Sequence, residues 1–177
     1  MIAGAVSCPR MSDLQTIRDA HHWVRWLTDR TMKASRGLSA EELHREFPIG
    51  LSSVFETLLH LLGAEMVWIG VLNGTVDKVV WPTREAYPDL DAIERAWKAT
   101  RGDWDRWLAS LTPAECARIV ERTRDGRTYR QRAVDAAMQV PTHALYHNAQ
   151  ISFIFRSLGK SLPDSSWIGW ARERQGC

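Results

Sequence analysis

Two of the six histidines, His143 and His147, lie four residues apart in a stretch with helical periodicity. Four residues turn an α-helix by about 400°, so both imidazoles leave the same face one turn apart and can share a metal ion. Two histidines hold a catalytic metal poorly, and a third ligand is wanted. His60 is the candidate. It sits in Thr57-Leu58-Leu59-His60-Leu61-Leu62, an apolar run in which a lone imidazole is costly to bury without a partner. The competing reading is that a His-x-x-x-His pair arises by chance on many helices. Likewise, a single histidine on an apolar helix is commonly a satisfied core residue.

Helical spacing also nominates neighbours. Gln150 falls seven residues after His143, within about 20° of the same face, and Gln139 falls one turn before it. Both are placed to orient an imidazole or a bound water. No catalytic residue is assigned. Glu56, one turn before His60, is the candidate general base, against the alternative of a solvated or salt-bridged carboxylate. Glu65 lies on a different face.

The elements that must position these groups are helical. Apolar spacing predicts a helix from Leu14 to about Ser35 with Ser12 as its cap. A short helix starts at Ser39-Ala40-Glu41-Glu42. The most apolar helix runs from Ser52 to about Leu72, stopped by Asn73-Gly74. Another covers Asp89 to about Ser110, weakened by Gly102, and Thr112-Pro113 marks a restart. Arg124-Asp125-Gly126 between two short extended runs predicts a β-hairpin. The last long helix spans Asp135 to Leu158 and closes at Gly159. Pro141 within it favours a kink unless the helix restarts there. Residues 1–10 read as a disordered lead-in and 161–177 as a short tail holding Trp167 and Trp170. Together these predict an all-α chain, a four-helix bundle with a small β-hairpin before its last long helix, in one domain over 1–177 with its core at about 12–160.

Length, composition and charge narrow the function classes. At 177 residues, 45% apolar and 25% charged, the chain has ordinary globular composition. No run reaches the roughly 18 unbroken apolar residues of a membrane helix, so no membrane partner is expected. Cys8, Cys116 and Cys177 are odd in number and far apart. That argues against a disulfide framework or a cysteine–zinc cluster and for the cytoplasm. The nine tryptophans read first as packing and second as walls of a ligand pocket. Net charge is only +2, but residues 116–133 carry six arginines against Glu121 and Asp125. This stretch is either a solvated hairpin or an anion-attracting edge, useful for an acidic thiol cofactor. Without a nucleic-acid-binding module, nucleic acid ranks last among partners.

Two segments resemble a known family. Leu58-Leu59-His60-Leu61-Leu62-Gly63-Ala64-Glu65-Met66-Val67-Trp68 is similar to the second-helix signature of the DinB/YfiT-like family of metalloenzymes. Thr142-His143-Ala144-Leu145-Tyr146-His147-Asn148-Ala149-Gln150-Ile151 is similar to that family's last-helix motif. The Asp-Gly hairpin and Phe155-Arg156-Ser157-Leu158-Gly159 sit where the family places them, and the resemblance covers about residues 12–160. The family is unrelated in chemistry to the translesion polymerase that shares the DinB name. The resemblance implies an up-down-down-up four-helix bundle, often homodimeric, with a divalent metal on His60, His143 and His147. Asn148-Ala149 and Gln139 depart from commoner family residues without altering the ligand count.

Three neutral imidazoles leave an ion net positive with open positions, the layout of a catalytic centre, and all-nitrogen ligation suits zinc, nickel or iron. Water bound there has its pKa lowered towards about 7, and a substrate thiolate can take the same position. The expected function is a metal-dependent enzyme activating water or a thiol, of thiol S-transferase, isomerase or hydrolase type, on a small molecule. A low-molecular-weight thiol is the expected cosubstrate. The alternative is a non-catalytic metal- or ligand-binding stress-response bundle or dimeric scaffold.

Overall fold

The computed structural model of the chain describes residues 11–176. The expectations for residues 1–10, Cys8 and Cys177 lie outside the described residues. Helix α1 spans Met11–Ser35, so Ser12 falls inside its first turn and is not the expected cap. The short α2, Ala40–His44, starts with a reciprocal capping box. The Glu42 N–H donates to Ser39 Oγ, and the Ser39 N–H donates to the Glu42 carboxylate. Helix α3, Val54–Asn73, begins at the Ser53 cap and ends at Gly74, whose left-handed backbone (φ 68°) favours glycine. A 3-10 turn over Val76–Lys78 starts the connection to α4, Leu90–Ala109, which Asp89 caps. Gly102 does not interrupt α4. The restart at Thr112-Pro113 gives the short α5, Pro113–Ala117.

Strands β1, Ile119–Arg124, and β2, Arg127–Arg132, pair antiparallel. Asp125 (φ 52°) and Gly126 (φ 73°) join them, supplying the two positive-φ residues that match a hairpin's twist. The Ala133 N–H bonds to the Arg118 carbonyl at 2.7 Å and ties off the open end of the hairpin. Helix α6 follows as Ala133–Ser157 and runs without a break through Pro141. The segment read as a plain tail contains a seventh helix, α7, Trp167–Gln175, capped by Ser166. Its nine residues are too few for periodicity to single out, and it is held by Trp170 in the core and by Trp167 against Trp23.

Helix α3 packs against α6 and α4, and α1 packs against α6 and touches α4. Phe55, Leu58, Leu62, Ile151 and Ile154 have no exposed surface. Truncating one such leucine to alanine costs about 2–5 kcal/mol. Among the described residues α3 is the one helix long and apolar enough to cross a membrane, and most of that stretch is buried inside the protein.

Pro141 lies within α6. Proline has no N–H for the carbonyl four residues earlier, which belongs to Ala137. The imidazole of His21 from α1 lies beside that backbone group and against the Trp104 ring at 4.6 Å.

Candidate metal centre

His60 comes from α3, and His143 and His147 from α6, two helices that pack directly on one another. The ring nitrogens of the three converge. His143 Nε2 lies 3.2 Å from His60 Nε2 and 3.0 Å from His147 Nε2, and each residue offers a ligand atom within 4.8 Å of the others. Bonds of about 2.0–2.1 Å from zinc to imidazole separate two nitrogens of a tetrahedral site by about 3.3 Å. The donor set and its spacing therefore fit a divalent ion.

Protonation favours the same use. Gln150 Oε1 accepts from His147 Nδ1–H at 2.8 Å, leaving the Nε2 lone pair directed at the other two rings. Burial lowers the pKa of His60, and the proximity of His147 lowers it further. Burial lowers that of His147 too, against the Gln150 hydrogen bond, which raises it. His143, between the two, is lowered to about 4 by burial and then by its neighbours His147 and His60. The rings are neutral at pH 7, the form that binds metal.

Two glycines, neither singled out in the sequence, set the surroundings. Gly50 (φ 51°) lies in the loop before α3, and a Cβ there would come within 2.2 Å of Gln150 Oε1. Gln150 can hold His147 only because that position has no side chain. Gly63, one turn after His60, lies under Trp81 and Pro82, and a Cβ there would approach both to 2.9 Å. The close approach brings the Trp81 ring to 5.4 Å from that of His60. Paired turn and packing glycines of this kind have no signal in side-chain periodicity.

His60 and His143 open into a cleft of about 460 Å³ walled by Trp68, Trp81, Gln139, Arg122 and Arg124. Gln139 thus reaches the cleft at an exposed position, while Gln150 is buried behind His147. Trp68 and Trp81 are pocket walls, whereas Trp97, Trp104 and Trp107 are core. Glu56 is not brought into the cluster. Its carboxylate accepts from Arg84 Nε at 2.9 Å and is held in an ion pair. That is the salt-bridged alternative to a general base. Asn148 turns away as well, accepting from Thr31 Oγ at 2.7 Å and tying α6 to α1.

No curated protein matches the chain. A model of the DinB superfamily matches residues 24–151, a span that includes all three histidines of the cluster. The chain belongs to the DinB superfamily, and its three clustered histidines can hold a metal ion.

Proposed function

We propose that this protein is a divalent-metal-dependent enzyme acting on a small molecule, with His60, His143 and His147 as the ligands. The convergence of three imidazole nitrogens from two helices carries the reading. When bound, a zinc, nickel or iron ion supplies Lewis-acid activation of water or of a low-molecular-weight thiol for S-transfer, isomerisation or hydrolysis. The chain's own residues do the positioning. Gln150 holds the His147 ring in one tautomer and Gly50 leaves room for Gln150. Trp81 covers one side of His60 and narrows the approach of solvent. Gln139 offers an amide to whatever enters the cleft.

The arrangement of the long helices α1, α3, α4 and α6 supports an up-down-down-up four-helix bundle as the frame. The exposed Leu145, Tyr146 and Phe153 on α6 support burial against a second copy in a homodimer. The buried Cys116, which is in no disulfide, is in keeping with a reducing, cytoplasmic setting. The engagement of Glu56 by Arg84 favours a second reading, a bundle that binds metal without turnover.

Elemental analysis of the purified protein and of His143→Ala tests the ligand set, and full metal retention by the variant overturns it. Metal-dependent consumption of a small electrophile with water or a thiol panel supports the enzyme. Stoichiometric metal without any such turnover leaves the binding bundle.

A further inference from the structure

The hairpin places unsatisfied donors beside the histidine cleft. Side chains alternate along a strand, so Val120, Arg122 and Arg124 share one face of β1. Their register partners Gln131, Tyr129 and Arg127 share the corresponding face of β2. Val120 is buried, which makes this the inward face. Arg122 lies over Trp68, its guanidinium carbon 5.3 Å from the ring centroid, and lines the cleft that holds His60 and His143. On its other side, Arg122, Arg124, Tyr129 and Gln131 line an adjoining cleft of about 340 Å³.

Most hairpin arginines already have a carboxylate. Arg118 pairs with Glu115, Arg124 with Asp125, Arg130 with Glu121 and Arg132 with Asp135. Arg122 is half-buried and, among the described residues, forms no ion pair. Close by on the facing strand, the Gln131 Nε2 group is buried without a hydrogen-bond acceptor. Leaving a buried donor without an acceptor is costly. A guanidinium fork with an amide N–H nearby is suited to the two oxygens of a carboxylate.

We propose that Arg122 and Gln131, with Arg124 beside them, form a carboxylate-binding subsite, so that the molecule processed at the histidine cluster carries a carboxylate remote from its reacting end. The metal-dependent reading of the cluster is assumed here, and the subsite adds the class of substrate it accepts. Trp68 supports the guanidinium from below and presents an apolar floor to the carbon chain between the two ends.

The experiment titrates zinc-loaded protein by calorimetry with ω-mercaptoalkanoates of graded chain length and with the matching ω-mercaptoalkanols. The thiol end reports on the metal and the carboxylate end on the hairpin. The best acid is expected to bind about tenfold tighter than its alcohol, with the advantage shrinking at high salt. Arg122→Gln is expected to abolish the advantage while leaving the alcohol's affinity unchanged, and Arg127→Gln, at the turn, to preserve it. An advantage that survives Arg122→Gln, or one below about twofold in the wild type, overturns the subsite. Should Arg122→Gln fail to fold, Gln131→Leu replaces it and is expected to reduce the advantage at least threefold, by roughly the energy of one hydrogen bond. Failure of acids and alcohols alike to bind in a metal-dependent way counts against the proposed function instead. Glutarate titrated into metal-free protein, followed at the Arg122 Nε–H resonance, then decides the subsite: a saturable shift supports it and no shift overturns it.

Discussion

His21 and His143 both meet helix α6, both are withdrawn from water, and both have lowered pKa values, yet they do different work. His21, from α1, lies beside the Ala137 backbone left without its helical partner by Pro141 and against Trp104. Burial, and then the nearby Arg25 charge, push it down to about 3. Among the described residues it joins no cluster of three ligating groups, and its ring is packed in the interior. His143 stands 3.2 and 3.0 Å from two other imidazole nitrogens and opens into a cleft. Burial and a perturbed pKa are common to both. Convergence of donors and access from solvent separate a ligand site from a structural histidine.

The largest effect that would break this contrast is on metal affinity. His143→Ala and His60→Ala are each expected to lower affinity more than 100-fold, above the range of about 10–100-fold for losing an outer-shell partner. His21→Gln is expected to leave metal content unchanged. Competition with a chelator measures all three, and comparable losses at His21 and His143 would erase the distinction.

Next comes the positioning of His147. Gly50→Ala forces a side chain into a left-handed backbone and against Gln150, so it is expected to cost about 1–2 kcal/mol in stability. A fall in metal affinity of about 10–100-fold should accompany it, matching Gln150→Ala. Denaturant melts and metal titrations separate the two effects. Unchanged metal affinity in both variants would remove Gln150 from the site.

A third effect is pH dependence at the structural histidine. His21 is lowered when folded, so the unfolded chain binds more protons between pH 6.5 and about 3. Stability from this group is full above pH 6.5 and is lost as pH falls towards 3. His21→Gln cannot titrate, so the acid limb of a stability–pH curve should flatten. An unaltered acid limb in His21→Gln would exclude the group as a source of acid sensitivity.

The smallest expected effect is at Glu56. Its partner Arg84 is exposed, and ion pairs of that kind contribute about 0–1 kcal/mol. Glu56→Gln is expected to change melting by no more than a few degrees and to leave metal binding intact. Loss of turnover in a folded, metal-loaded Glu56→Gln protein would restore it as the general base.

Much of the scaffold was legible along the chain because local chemistry dictates it. Ser39 with Glu42, Ser53, Asp89 and Thr112 begin helices where their side chains accept from the first turn. Asp125-Gly126 turns the hairpin because both positions need positive φ. The common face of His143 and His147 follows from a four-residue helical step. Other features had no local signature. Helix α7 depends on Trp170 finding the core, and α6 runs on through Pro141 although proline removes a helical bond.

Residue types and their spacing determined the helices before α7, the hairpin and the three candidate ligands, since these follow from periods and caps within a few residues. Only the tertiary structure decided that His60 meets His143 and His147, that Gly50 and Gly63 admit Gln150 and Trp81, and that Arg122 faces the same cleft. Those relations depend on how two helices and two loops pack, which is set by shape and burial across the whole core.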